Sequence, residues 1–453
     1  MRNIQFPAPW RWAFNVFLVM RVFYSAWSLA VVLLVPTVLQ NLNVFGVPVV
    51  AVFNTLGSQA YVFSREVNGQ VLTFESTSST RMVDTQTGSV WDLRHRRAVS
   101  GSFNGAPLKD APYGEDDIFP YRGTRRSSNV FMTMWQRFDT NWFLSIAQRG
   151  YASDDGSTVY MPLYPLLIRV FGTLFLGRDL FAAFLISNVA WVIVLYLMYR
   201  LTQQVLNEGA AKRALIYLAL FPTAFFFLAA YTESLFLALA LGSLCAARKN
   251  NFLLASVLSS FAALTRLQGV LLIAPLAYMV WEQVAGRKFQ VSGNVIRALV
   301  PLALIPLATL SFLLYANLSL LASYEGELHA RFVLPWENVW AAVSLILEGR
   351  AGIVDVFNLL ITFLFGAMCV GVWKKMPRAL AIYTVLMFLA PLFRMTTTQP
   401  LVSMMRYVLV LFPVFMLWGE WGKNSWINRA VIYPSFLLSM YFSAQFWLWG
   451  WVA

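Results

Sequence analysis

Residues 135–151, Trp-Gln-Arg-Phe-Asp-Thr-Asn-Trp-Phe-Leu-Ser-Ile-Ala-Gln-Arg-Gly-Tyr, carry a single carboxylate, Asp139, among apolar residues at helical spacing. Trp135, Phe138, Trp142, Phe143 and Ile146 fall on one face, and Gly150 ends the pattern. The spacing predicts a helix lying flat on a membrane surface, with its Trp side chains at headgroup depth. A carboxylate held there meets both lipid and water, which suits a general base that takes a proton from an acceptor hydroxyl. One such group fits an inverting sugar transfer, in which the acceptor attacks opposite the leaving group, whereas a retaining double displacement needs two carboxylates close together. The bland alternative is an ion pair with Arg137 or Arg149 on the same segment.

Other ionisable groups sit in or beside apolar runs, where they are expensive and point to function. Glu233, in Tyr231-Thr-Glu-Ser, is the sole charged residue between Ala214 and Ala247. It is either a solvated turn residue or a group that orients an acceptor or supports an arginine. Arg266, in Leu264-Thr-Arg-Leu-Gln-Gly, and Arg406, in Ser403-Met-Met-Arg-Tyr, lie at span ends. They either snorkel to lipid headgroups or grip a donor phosphate with the planar guanidinium fork and stabilise charge on the departing group. His329 and Arg331, in the loop from Tyr324 to Glu337, and Tyr151, at the end of the Asp139 segment, complete the substrate-binding candidates. Cofactors are not called for: there is no Walker motif, no GxGxxG, no HExxH and no His/Cys cluster, so no metal site is assigned. Asp154 and Asp155 with Asp139 could hold a divalent cation, but hard cations need more oxygen ligands than this.

The elements that must position these groups are membrane spans. Of 453 residues 59% are hydrophobic and 12% charged, about half the charged share of a soluble globule. The net charge of +13 resides in short loops, as the positive-inside rule expects, so nucleic acid is excluded as a partner. Cys245 and Cys369 lie in apolar runs and read as buried thiols without a disulfide. The first apolar run follows Arg2 and Arg11 and is long enough to stay as a span rather than be cleaved. Spans are expected over about Trp12–Leu39 and near 180–201, 213–230, 232–247, 252–266, 268–285, 297–317, 352–373, 378–396, 402–419 and 429–450. Lys212-Arg213, Arg248-Lys249, Arg287-Lys288, Lys374-Lys375 and Lys423 with Arg429 fall in alternate loops, which places those loops in the cytoplasm and Asp139 outside. Residues 160–177 are apolar but short and carry Pro162, Pro165 and Arg169, so they are read as a re-entrant or surface helix. Residues 57–130 differ in kind. Val67-Asn68-Gly69-Gln70 between alternating runs predicts a hairpin, and Gln86-Thr87-Gly88 a second turn. This is a small β-rich extracytoplasmic insert, a lid, spacer or surface for a protein partner.

The segment Arg137–Tyr151, then Met161-Pro-Leu-Tyr-Pro-Leu-Leu-Ile-Arg, Phe221-Pro-Thr-Ala-Phe through Tyr231-Thr-Glu-Ser-Leu-Phe, Ala263-Leu-Thr-Arg-Leu-Gln-Gly and Ser403-Met-Met-Arg-Tyr follow one another in family order. They resemble the GT-C glycosyltransferase superfamily, most closely its PIG-V-like mannosyltransferase branch, over about residues 131–420. Residues 63–108 partly resemble an uncharacterised prokaryotic β-domain family with no assigned activity. The apolar runs give an all-α polytopic membrane protein with about 11 transmembrane helices, which the resemblance makes GT-C-like, while the β-rich insert is not part of the family's usual pattern. The chain's parts are the first helix and exit over 1–56, the insert over 57–130, interfacial catalytic-loop helices over 131–178 and a helical bundle over 179–453. The resemblance implies inverting transfer of a sugar, mannose in the usual case, from a polyprenyl-phosphate donor to a hydroxyl on the extracytoplasmic face, with Asp139 as base, and the short loops and few disulfide options point to a prokaryotic plasma membrane. Trp usually precedes that Asp, and Phe138 stands there in this chain. The acceptor is not identified. Two rival classes are a non-catalytic scaffold of the same fold whose insert binds a partner, and a transporter of lipid-linked sugar.

Overall fold

The computed structural model describes residues 7–35, 37–44, 47–54, 60–78, 80–110, 124, 127, 129–152, 155–285, 293–316, 325, 330–396 and 399–452. The chain divides into two compact units. One comprises Met1–Tyr24, Ile146–Ser443 and Val452–Ala453, the other Ser25–Ser145 and Ala444–Trp451.

The larger unit is built from apolar helices. After α1 (Ala8–Leu34) and two short helices described below come α4 (Leu163–Leu174), α5 (Asp179–Val205), α6 (Glu208–Leu220), α7 (Glu233–Arg248), α8 (Phe252–Thr265), α9 (Ile273–Ala285), α10 (Gly293–Leu299) and α11 (Leu304–Tyr315). Pro335–Leu347, Ile353–Lys375, Arg378–Leu389, Met404–Tyr407, Phe412–Trp421 and Ser425–Trp447 follow. Helices therefore stand at each expected span. Among the described residues, four are long and apolar enough to cross a membrane: Ala8–Leu34, Asp179–Val205, Ile296–Tyr315 and Ile353–Lys375. A fifth is counted if Met404–Val410 and Phe412–Trp421, bent by 77°, make one broken span. Pro413, which cannot donate to the preceding turn, sits at that break. The protein is thus a membrane protein. The segment 160–177 is the 12-residue helix α4, about 18 Å long at 1.5 Å per residue and too short to cross.

The smaller unit holds the β structure. The first helix ends at Leu34, and Thr37–Val44 is a strand rather than the end of a span. Strands β1 (Thr37–Val44), β2 (Val47–Asn54) and β3 (Ala60–Ser64) form an antiparallel sheet. A two-residue hairpin, β4 (Glu66–Val67) and β5 (Gln70–Val71), turns through Asn68 (φ 50°) and Gly69 (φ 79°), the two positive φ values a type I′ turn needs. Strands β6 (Phe74–Ser78), β7 (Arg81–Asp84), β8 (Val90–Asp92) and β9 (Arg97–Ser100) make a four-stranded meander. Val50, Val52, Phe63, Leu72, Met82 and Trp91 are central to its core. The Asn41 side chain joins the two sheets, donating to Phe74 O (2.7 Å) and accepting from Phe74 N (2.8 Å).

Asp84 anchors the turn between β7 and β8. Its buried carboxylate accepts from Thr87 N (2.6 Å), Thr87 Oγ1 (2.7 Å) and Trp91 Nε1 (2.9 Å). Burial pushes this carboxyl up, but the bonds from Trp91, Thr87 and the Thr87 and Ser89 amides outweigh it and hold it below the ordinary carboxylate range. A depressed folded-state value means the group stabilises the insert above the unfolded pKa of about 3.9. That contribution is lost as pH falls through the lower folded value. Asp84→Ala leaves the buried Trp91 N–H without its acceptor and is expected to cost the insert about 1–3 kcal/mol. Faster amide exchange across residues 74–100 is the readout, and unchanged exchange would count against this role for Asp84.

Candidate active site

Two clusters carry the candidate residues, one in each unit. In the smaller unit Asp139 opens helix α3 (Asp139–Arg149), which follows α2 (Val130–Thr133). The expected helix from Trp135 does not form. Residues 134–138 are a turn, and Phe138 has φ 46°, a conformation that costs an L-residue about 1–2 kcal/mol. The expected surface-lying stripe is also corrected: Trp135, Trp142, Phe143 and Ile146 are all buried. Asp139, half-buried, occupies the first turn of α3, where exposed helical N–H groups favour a carboxylate.

The turn before it is held from both sides. Arg137 is 1% exposed. Its Nε and Nη2 donate to Trp447 O (3.1 and 3.0 Å), and its Nη1 donates to Thr133 O (2.6 Å) and Gln136 O (3.2 Å). The guanidinium lies 4.5 Å from the Trp449 ring centroid. Behind it is a buried amide network, in which Gln136 Nε2 (3.0 Å) and Thr124 Oγ1 (3.1 Å) both donate to Asn141 Oδ1. Neither Arg137 as a buried anchor nor this network is visible in the spacing of residues 135–151.

In the larger unit Glu233, Arg266 and Arg406 converge. Glu233 starts α7, and its side chain is 0% exposed. Arg266 Nη1 donates to Glu233 Oε1 at 2.6 Å, and Arg406 Nε lies 3.2 Å from the same oxygen. The two guanidinium side chains are 10% and 11% exposed. They are largely shielded and share one carboxylate, so neither snorkels to headgroups, and Glu233, fully buried, is not a solvated turn residue. Glu233 Oε2 has no hydrogen-bond partner among the described residues. The Tyr407 ring lies 5.2 Å from the Arg266 guanidinium carbon and 5.9 Å from that of Arg406, and the rings of Phe226 and Tyr231 are 5.6 and 5.5 Å from Arg406. These aromatic faces favour the cations and exclude water around them.

Local sequence explains the placement. Arg266 is an extended residue closing α8, and the 3-10 turn Leu267–Leu272 folds straight back. That return needs Gly269, where a Cβ would come within 2.4–2.6 Å of the backbone of Ala262 and Ala263. Gly269→Ala must push the turn off α8 and carry Arg266 with it. A cost of about 1–3 kcal/mol with loss of transfer activity is expected. A variant with parental melting temperature and parental rate would refute this account of the glycine. Arg406 sits on the one-turn helix Met404–Tyr407, preceded by Leu401 (φ 53°) and Ser403 (φ 67°). Three buried polar residues fix that strained entry: Asn338 Oδ1 accepts from Leu401 N (2.7 Å), Asn358 Oδ1 accepts from Met405 N (3.0 Å), and Thr223 Oγ1 donates to Met405 O (2.7 Å). Tyr164 in α4 bonds Ser187 (2.7 Å), whose hydroxyl donates to Tyr231 O (2.9 Å), tying residues 161–169 to the approach to Glu233.

The remaining candidates are not gathered there. The Tyr151 hydroxyl donates to Tyr160 O (2.9 Å), and its ring packs with Phe312 (5.2 Å), in a cluster that includes Leu264 and Leu267 on either side of Arg266. Arg331 is exposed on β10 (Ala330–Phe332), paired with Met395 of β11 (Arg394–Thr396). His329 and Asp154 lie outside the described residues. Among the described residues no group of three His, Cys, Asp or Glu is placed to hold a metal ion. An apolar cavity of about 490 Å³ opens between α4, α5, α7 and α8, lined by Leu167, Phe171, Ile186, Val189, Leu239 and Gly242 among others.

Residues 119–330 match the family model for mannosyltransferase (PIG-V). No curated protein matches the chain. Among solved structures it is similar to ArnT from Cupriavidus metallidurans bound to undecaprenyl phosphate, with 13% identity and a TM-score of 0.41 over 68% of this chain and 71% of that one. It is also similar to the Archaeoglobus fulgidus oligosaccharyltransferase in complex with Zn and sulfate, with 12% identity and a TM-score of 0.36 over 67% of this chain and 48% of that one. Likeness at that level transfers no residue and no ligand. The family match includes Asp139, Tyr151, Glu233, Arg266 and His329, and stops short of Arg331 and Arg406. Over residues 119–330 the chain carries a mannosyltransferase (PIG-V) domain, and it is a glycosyltransferase.

Proposed function

We propose that the protein transfers a hexose, mannose in the first instance, from a polyprenyl-phosphate donor to an acceptor hydroxyl with inversion at the anomeric carbon. In this reading Asp139 takes the acceptor proton as the new bond forms. Arg266 and Arg406 hold the donor phosphate and meet the charge that grows on it as the glycosidic bond breaks. The observation that carries the reading is the pair of largely buried guanidinium groups that converge on one carboxylate oxygen in a chain with a mannosyltransferase domain. The anionic oxygens of a phosphodiester are the ligand a planar guanidinium fork is suited to hold. The apolar cavity beside α7 and α8 suits a prenyl chain. Glu233 orients the two arginines and, through Oε2, accepts from a sugar hydroxyl. Tyr151, His329 and Arg331 complete the substrate contacts. About eleven helices, the shorter ones tilted or packed inside the bundle, cross the membrane. The reaction takes place on the extracytoplasmic face of a prokaryotic plasma membrane, and residues 57–130 form the insert there, docking a partner or the acceptor.

The direct test is transfer by the purified full chain in lipid nanodiscs supplied with polyprenyl-phosphate mannose, polyprenyl-phosphate glucose or polyprenyl-phosphate galactose and hydroxyl acceptors. Release of polyprenyl phosphate with an inverted product anomer supports the proposal. Retention of configuration overturns the single-base mechanism, and no release above blank from any of the three donors overturns the donor class.

A further inference from the structure

We propose that Arg137 and the aromatic segment Phe446–Trp451 form a positioning device for Asp139. The inference rests on the reading of Asp139 as base and extends it to residues that touch no substrate.

Three observations point the same way. First, Arg137 is among the most deeply buried charged side chains, at 1% exposed, and its four bonds to main-chain carbonyls reach 310 residues along the sequence to Trp447 O. A planar fork with fixed donor directions sets the separation of two chain segments in a way a lysine point charge does not. Secondly, the residue between this anchor and the carboxylate, Phe138, is held at φ 46°, and Trp449 is held at φ 63°. Two bulky aromatics in the left-handed region persist only where the surroundings over-determine them, and such positions cluster at functional sites. Thirdly, the rings of these two strained residues touch. Phe138 is 5.4 Å from Trp449, 5.8 Å from Phe446 and 5.1 Å from Trp451, while Trp135 packs on Trp447 at 5.3 Å. The turn Trp135–Phe138 is therefore clamped at its guanidinium and at both aromatic residues, and Asp139 is the next residue.

A clamp of this kind matters because a base acts only within hydrogen-bond reach of its proton, and about 1 Å of misplacement costs about 100-fold. It also accounts for Phe138 in place of the Trp usual at that position: what the clamp needs there is a large ring at positive φ.

The test is a double-mutant cycle on the full chain in nanodiscs. Arg137→Met is expected to lower kcat by about 100-fold with the donor KM within about twofold, and Arg137→Lys to fall between. Trp449→Leu, which spares the carbonyl bonds, is expected to lose about 10-fold. Phe138→Trp keeps a large ring and is expected to stay within about threefold of the parent. In an Asp139→Asn background, Arg137→Met should add no further loss, because it acts through that carboxylate. Multiplying defects, or parental kcat in Arg137→Met, overturn the positioning role. If Arg137→Met does not fold, parental kcat in Trp449→Leu does the same. Parental kcat in Asp139→Asn alone overturns the base assignment instead, so the two failures are distinguishable.

Discussion

Asp139→Asn is expected to lower the rate of sugar transfer by about 10²–10⁴-fold, the range lost with a positioned general base. Asparagine keeps the size and the hydrogen-bonding oxygen of the side chain but cannot take the acceptor proton. The fold should survive. At the first position of α3 the lost charge–dipole attraction is worth only about 0.3–1 kcal/mol, against several kcal/mol in the barrier. The measurement is single-turnover transfer per mole of monodisperse protein, with the melting temperature as control. Asp139→Glu separates geometry from basicity: it keeps the proton acceptor but extends it by one methylene, and an intermediate rate is expected. Parental transfer by Asp139→Asn would remove the carboxylate from the chemistry and leave the domain without its proposed base.

Much of this architecture was legible because membrane spans announce themselves in composition. The run read as 180–201 is the helix Asp179–Val205, and that read as 352–373 is Ile353–Lys375. The Asn68-Gly69 hairpin was legible because few residues accept two successive positive φ values. Thr37–Asn54 misleads for a physical reason. Its Val- and Leu-rich run is apolar enough to read as the end of a span and its exit, and only pairing of β1 with β2 and β3 reveals strands. The turn before Asp139 misleads differently. Helical periodicity continues back to Trp135, but the backbone at Phe138 is set by residues about 310 positions away, which no window of sequence contains. The arginine cluster divides in the same way. Arg266, Arg406 and Glu233 stand out as charges in apolar runs, whereas Asn338, Asn358 and Thr223, which fix Arg406, are uncharged and pass as ordinary polar residues until their bonds are seen.

The arginine cluster yields the second large effect, and its sign is informative. Arg266→Ala removes one of two donors aimed at the proposed phosphate and is expected to cost about 10²–10³ in kcat, as for loss of one charge-stabilising donor. Arg266→Lys should recover little, because an ammonium restores charge without the fork that reaches both Glu233 Oε1 and a phosphate oxygen. Glu233→Gln discriminates further. In the parent, Glu233 Oε1 already occupies Arg266 and Arg406 at 2.6 and 3.2 Å, so a phosphate must share them with a resident anion. Neutralising that anion removes a negative charge from beside the two guanidinium groups and strengthens the hold on polyprenyl phosphate, which gains a second negative charge once the sugar has left. Tighter product inhibition, a lower donor KM and a fall in kcat through slow release are expected together. If the three residues only brace the fold, the same substitution uncovers two buried guanidinium groups, costs about 3–5 kcal/mol and lowers the melting temperature with no gain in affinity for polyprenyl phosphate. A titration of the purified Glu233→Gln protein with polyprenyl phosphate therefore decides between a phosphate site and a structural ion cluster. Binding weaker than the parent's would end the phosphate assignment.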